Sequence, residues 1–253
     1  MEWDAPAIVL DVRAYGEADA IVAVMTEAHG THRGLVRGGA SRAHAALWQP
    51  GNCVQVRWTA RLSDQLGGFS GEMIHQGAAM VLDEPLALGM LTAICAVAED
   101  ALPEREPHQG VFGGLLRLIP RLPLGAVMLA DVVRWELMLL AELGYGLDLQ
   151  TCAVTGTAED LRYVSPRTGR AVSQAAAGIW AERLLRLPPF LISQAAAAPA
   201  DHRDGLRLTG HFLARDAFGL RHRPLPRARV MLYDRVAALA AESEDALGAG
   251  HAG

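Results

Sequence analysis

The hydrophobic pattern of this chain changes period once, near residue 76, which confines it to a β-rich segment followed by a helical one. Before the change, Ile8-Val9-Leu10-Asp11-Val12-Arg13 alternates, Ala20 to Thr26 is a continuous apolar run, and Val54, Val56, Trp58, Ala60 and Leu62 repeat with period two. Turn signals at Tyr15-Gly16-Glu17, His29-Gly30-Thr31, Gly38-Gly39, Pro50-Gly51 and Gly67-Gly68 separate these runs. After the change, Asp83-Glu84-Pro85 starts a helix carrying Leu86, Met90, Ala93, Ile94 and Val97 at helical spacing. A second helix fits Val111 to Ile119, and a third, apolar on most sides, runs from Leu124 to Leu143. Ser173 caps a further helix that Pro188-Pro189 stops, Ala195 to Ala198 reads as a connector, and two more helices fit Asp204–Phe218 and Arg227–Ala241. The expected class is α+β. Residues 1–78 form a five-stranded barrel of the OB type, and residues 79–253 form an all-α domain.

Charge sharpens the β segment. Between Glu27 and Asp64 there is no acidic residue, while Arg33, Arg37, Arg42, Arg57 and Arg61 all fall there, in a chain whose net charge is −5. Period two places Gln55, Arg57, Thr59 and Arg61 on one face of their strand, and Arg33, Leu35 and Arg37 on one face of theirs. Arg42 and His44 fall in the following loop. An acid-free basic surface on strands suits a phosphate backbone, although an ordinary solvated strand face would look similar. The stacking aromatics that single-strand platforms use are few here, and Trp48 and Phe69 both read as core.

A second basic cluster follows in the helical part. Arg203, Arg207, His211 and Arg215 recur every four residues, and Arg221, Arg223, Arg227 and Arg229 lie in an acid-free run between Asp216 and Asp234. A phosphate backbone or an acidic protein segment would relieve the repulsion within this stripe. Arg203, Arg207, Arg215, Arg223, Arg227 and Arg229 therefore join the DNA-binding candidates, with a protein partner left open. Arg134 sits beside Asp131, Trp135 and Met138 on an otherwise apolar helix. It reads either as a plain Asp131–Arg134 pair or as a guanidinium at an apolar rim, suited to a carboxylate on a hydrophobic residue.

Several chemistries are excluded. The sequence contains no lysine, so Walker-type phosphate loops and Schiff-base catalysis are out, and every cationic contact is a guanidinium. Nucleophile elbows, zinc-protease helices and dinucleotide fingerprints are missing, so no catalytic residue is assigned. Cys53, Cys95 and Cys152 are too scattered for a disulfide framework or a zinc site by themselves. His29 and His32 bracket a turn and read as surface residues. No apolar run approaches the length of a membrane span, and the acidic start Met1-Glu2-Trp3-Asp4 does not resemble a signal peptide, so a cytoplasmic protein is expected.

Ile8-Val9-Leu10 with Arg13, Tyr15-Gly16-Glu17 and Asp19; Thr26-Glu27 with Gly30; Leu35-Val36-Arg37-Gly38-Gly39; and Leu47-Trp48-Gln49-Pro50, in this order and spacing, resemble the opening strands of the RecO family of bacterial recombination mediators. The run from Arg134-Trp135-Glu136-Leu137 to Leu143-Gly144-Tyr145 is similar to the family's central helix, and Arg223-Pro224-Leu225-Pro226-Arg227-Ala228-Arg229 to the start of its last helix. The resemblance implies an N-terminal OB-fold and a C-terminal helical domain. It also implies binding to single-stranded DNA, with duplex DNA left open, strand annealing, and displacement of single-stranded-DNA-binding protein (SSB). RecR would be a partner, with RecA reached indirectly through its loading, and the location would be the cytoplasm at the nucleoid. Arg134, Trp135 and Met138 fall where the family captures the acidic, phenylalanine-ended tail of SSB. One departure stands out: some members carry four cysteines in the loop after the central helix, whereas here Cys152 stands alone, with Thr155 at the second position and no thiol from Val172 to Ala176. The loop at about 147–176 is therefore expected to hold no zinc and to be kept by packing, and no cofactor is expected. The alternative reading is a protein-interaction adaptor whose barrel is structural.

Overall fold

The computed structural model describes residues 1–41, 44–62 and 64–250, with side chains as far as residue 246. Five strands, β1 (Glu2–Tyr15), β2 (Asp19–Thr26), β3 (Gly30–Val36), β4 (Cys53–Thr59) and β5 (Gly68–His75), close into a barrel in the order β1-β2-β3-β5-β4. This is the OB arrangement expected from five short strands with glycine turns. The long first strand serves both sides of the barrel. Its first half pairs with β4 from Glu2↔Thr59 to Ile8↔Cys53, its second half with β2 from Ala7↔Thr26 to Tyr15↔Asp19. An irregularity between Val9 and Asp11 bends it between the two ladders, as a bulge does.

The parity read from the sequence holds on β4, where Val54, Val56 and Trp58 are buried while Arg57 and Thr59 are exposed. Trp48, from the β3–β4 connection, and Phe69 complete the barrel core, as their apolar bulk suggested. Gly34 lets the core close: a Cβ there would lie 2.7 Å from the Phe69 ring. The β3–β5 join is slight. These parallel strands share one ladder pair, Leu35↔Gly68, and nearby the free edge of β3 is bridged by the segment at Glu104 through Thr31.

Helix α1 (Pro85–Ala101) follows, with proline in its first turn and Ala87, Met90, Leu91, Ala93, Ile94, Val97 and Ala98 buried. It packs on β1, so the barrel, α1 and α2 (Gln109–Leu118) belong to one compact unit, Met1–Ala126, and the rest to a second, Val127–Gly253. Hydrophobic texture changes at residue 76, whereas compactness divides fifty residues later, because α1 covers strand surface that the barrel does not cover itself.

In the second unit, α3 spans Leu129–Glu142. The helix expected from Leu124 starts late because Gly125 adopts φ 75°, ψ −138°, which no right-handed helix accommodates. Strands β6 (Leu161–Val164), β7 (Ala171–Ser173) and β8 (Leu185–Arg186) form a small sheet in the order β7-β6-β8, so this region is not all-α. Ser173 does cap a helix, accepting from Ala176 N at 3.4 Å, but that helix, α4 (Gln174–Ala177), ends after one turn at Gly178, whose φ is 47°. Helix α5 (Pro199–Phe212) begins five residues before its expected start. Pro199 opens it, and the Asp201 carboxylate accepts from Ala198 N at 2.9 Å. A π turn over Leu213–Phe218 and the long α6 (Arg227–Gly250) complete the unit.

Candidate nucleic-acid interface

The arginines of the β segment have three different fates. Arg33 projects from β3 with the expected parity but lies between Glu99, at the end of α1, and Glu104, pairing with both. Glu99 is almost fully buried and is also approached by Arg13 at 3.7 Å. Arg57 reaches across to β1 and pairs with Glu2 at 2.8 Å. The stretch that is acid-free in sequence is therefore not acid-free in space, because β1 and the α1 end bring carboxylates to two of its arginines. Arg37 and Arg61 are different: both are exposed and neither makes an ion pair among the described residues. Arg42 lies outside the described residues.

Arg37 borders a groove of about 550 Å³ at the β3–β5 seam, lined also by Leu35, Thr59, Gly68, Phe69 and Ser70. The chain beside it is fixed. The Asp19 carboxylate accepts from Gly38 N at 2.8 Å, and Ser41 Oγ donates to Gly38 O at 2.6 Å. Arg61 lies two residues beyond Thr59, a residue of the groove wall, in the β4–β5 connection. In OB-folds the β2–β3 face together with the β1–β2 and β4–β5 loops forms the ligand surface.

Aromatic residues to which the sequence assigns no binding role come together near the β2–β3 turn from β1, β4 and the turn itself. Trp58, Trp3 and His29 form a continuous stack, with centroid separations of 5.9 Å and 4.4 Å and ring planes 18° apart at each step. His32 is not a surface residue. It sits edge-on to Trp3 and Trp58, 4% exposed, and neither ring nitrogen has a hydrogen-bond partner among the described residues. Burial, with the Arg105 charge and His29 adding to it, lowers its pKa to about 4, so the ring is neutral at physiological pH. The available signal was parity: β3 starts at Gly30, so His32 shares the inward face with Gly34 and Val36.

The second basic cluster also divides. Arg229 is fully buried, with Nε 2.5 Å and Nη2 3.0 Å from the two Glu136 oxygens, and Nη2 donates to Leu206 O at 2.7 Å. It ties α6 to α3 and α5 and has no surface to offer DNA. Arg203 pairs with Asp204 and Glu244 at 3.1 and 3.0 Å. Arg215 forks onto both Asp216 oxygens at 2.7 Å, with its guanidinium 4.7 Å from the Phe212 ring centroid. The π turn takes Arg215 off the regular four-residue stripe. Arg207, Arg223 and Arg227 are exposed, and Arg207 and Arg227 form no ion pair among the described residues.

On α3, Arg134 makes the Asp131 pair and also lies beside an aromatic ring. Its guanidinium meets Asp131 at 2.9 Å, donates to Phe190 O at 3.0 Å and lies 5.3 Å from the Phe190 ring centroid, while the side chain stays 46% exposed. Met138 is half-buried, but Trp135 is 3% exposed and faces the core of its unit, so it cannot line a surface rim. The ring beside Arg134 is instead Phe190, distant in sequence and therefore invisible to helical spacing.

The loop after α3 is held by hydrogen bonds. Cys152 N donates to Thr157 O at 2.7 Å, Ala153 N to Ala171 O at 2.8 Å, and Ser173 N to Cys152 Sγ at 3.3 Å. Burial raises the Cys152 thiol, but hydrogen bonds from Thr155 and Ser173 outweigh it and bring the pKa to about 6. Among the described residues no group of three or more His, Cys, Asp or Glu side chains could hold a metal ion. Nor is any described helix long and apolar enough to cross a membrane.

The comparisons agree with this architecture. The family model described as Recombination protein O N terminal matches residues 1–76, and Recombination protein O C terminal matches residues 82–224. The chain is 59% identical over 242 residues to the DNA repair protein RecO of Granulibacter bethesdensis, covering 94% of this chain and 97% of that protein. It is 57% identical over 240 residues to the DNA repair protein RecO of Acidiphilium cryptum, covering 93% and 96%. Matched in both its barrel and its helical part, and aligned with these relatives over nearly its whole length, the chain belongs to the RecO family of DNA repair proteins.

Proposed function

We propose that this chain acts in DNA repair as a non-enzymatic mediator that binds single-stranded DNA along the β3–β5 groove, with Arg37 and Arg61 as its phosphate contacts. The carrying observation is that Arg37 borders a groove on an OB barrel, that Arg61 follows its Thr59 wall, and that both are exposed and form no ion pair among the described residues. Arg33 and Arg57 already have carboxylate partners, so they shape the strand faces more than they neutralise phosphate. Residues 1–78 then serve as the DNA-binding domain and residues 79–253 as the helical domain, in which Arg207, Arg223 and Arg227 offer exposed guanidinia of their own. Arg134, on the apolar Phe190 ring and beside Met138, receives the carboxylate of an SSB tail. The mechanism is binding exchange: tail capture brings SSB into a ternary complex while the arginines engage the strand. Annealing and, with RecR, assistance to RecA loading at the nucleoid follow from the exposed strand.

Fluorescence anisotropy with labelled single-stranded DNA tests the groove. Replacing Arg37 and Arg61 by alanine is expected to weaken binding and to lower the slope of log affinity against log salt by about 0.7 per lost contact. Unchanged affinity and slope would remove the DNA surface from this groove. The pairing of Arg33, Arg57, Arg203, Arg215 and Arg229 with carboxylates favours a second reading, an adaptor with a structural barrel. Salt-insensitive failure to bind DNA, with retained binding of an SSB tail peptide that Arg134→Ala abolishes, would select it.

A further inference from the structure

We infer that the His29–Trp3 stack at the β2–β3 turn is a platform for an unpaired nucleobase, which makes the barrel's preferred ligand a single strand rather than a duplex. This rests on the DNA-binding reading above and adds to it a contact made to the base.

The geometry is specific. Trp58 is 3% exposed and anchored by its indole N–H to Leu66 O at 3.0 Å. Trp3 lies on it and is partly buried, and His29 lies on Trp3, also partly buried, with its backbone N–H held by Thr26 Oγ1 at 2.9 Å. The stack therefore runs from the barrel core to the surface and ends in a flat ring whose inner face is already occupied. His32 and Phe69 brace Trp3 from the side, at centroid distances of 5.3 and 6.1 Å, so the stack cannot tilt away when loaded. A base laid on the imidazole would continue the stack. Aromatic surfaces of this kind hold bases with little regard to sequence, because every base has a π face.

The surroundings suit a base more than a phosphate. The exposed Glu27 belongs to the same turn, and the backbone of Glu106 lies against Gly30. Arg105 donates to Gln65 O at 3.0 Å in the β4–β5 connection and supplies the opposite sign. A mixed-charge rim gives phosphate no net attraction, whereas Arg61 lies in that same connection and Phe69 reaches the groove that Arg37 borders. The backbone of a strand can thus follow Arg37 and Arg61 while one base turns onto His29. A base inside a duplex has both faces covered by its neighbours and cannot do so.

The test compares three labelled probes of equal length: a dT oligomer, an oligomer of abasic sites with the same phosphates, and a duplex. The wild-type protein is expected to bind the dT oligomer at least fivefold more tightly than the abasic one. His29→Ala should lose most of that preference and leave abasic and duplex binding and the salt slope unchanged, whereas His29→Phe should keep it. His29→Gln, with circular dichroism on each variant, repeats the loss without deleting the side chain. Wild-type dT binding in folded His29→Ala and His29→Gln overturns the platform, as does an equal loss on dT and abasic probes. Equal wild-type affinity for dT and abasic oligomers overturns the platform alone and leaves the arginine groove standing. Binding to none of the probes overturns both.

Discussion

Buried polar side chains decide how substitutions at them will behave. Arg229 and Glu136 are each 1% exposed, and Thr209 closes the network by donating to Glu136 Oε2 at 2.5 Å. Arg229→Met leaves a buried carboxylate without its cation and should cost about 3–5 kcal/mol in urea denaturation. The double variant with Glu136→Gln should recover most of that loss, since removing both charges also removes both desolvation costs. His32 sets a pH dependence. Its folded pKa of about 4 lies below the ordinary 6.5, so the unfolded chain binds the proton more readily between those values. Stability should be at its full value above about pH 7 and fall as pH drops from 6.5 towards 4, by as much as ~3 kcal/mol. Denaturation midpoints against pH check this, and His32→Phe should flatten the curve across that window.

At the level of strands and helices, alternation revealed which way a side chain points but not what packs over it. The inward set of β4 was readable, as was the outward set of β3. That Glu99 and Glu104 would settle on Arg33 was not, because the α1 end is more than sixty residues away in sequence. The same limit hid Phe190 from Arg134, and Leu206 and Glu136 from Arg229. Local backbone geometry hid the remainder. Gly125 delays α3, Gly178 stops α4, and the π turn after α5 displaces Arg215, each overriding a hydrophobic period that runs past it. β3 supplies a direct check. Gly34→Ala would place a methyl group 2.7 Å from a ring held among Trp3, His32 and Trp48, and should lower stability by about 1–3 kcal/mol in thermal melting.

For the molecule as a whole, the boundary that matters to folding is the one at Ala126/Val127. A fragment ending at Ala126 should melt cooperatively by circular dichroism. One ending at residue 78 should not, since it loses the apolar face of α1 and leaves Arg33 without either carboxylate. Within that unit the barrel resembles a ring with a clasp. β1 with β2, β1 with β4, β2 with β3 and β4 with β5 are joined by ladders of seven or eight pairs, whereas closure between β3 and β5 rests on the single pair Leu35 and Gly68. Widening the ring at any other join breaks a whole ladder; widening it at the clasp breaks one pair. The barrel is therefore compliant in one direction and stiff in all others, and the compliant direction opens onto the groove beside Arg37. Whatever occupies that groove can therefore change its width at the cost of one pair, without breaking the ladders that hold the stack of rings at the β2–β3 turn.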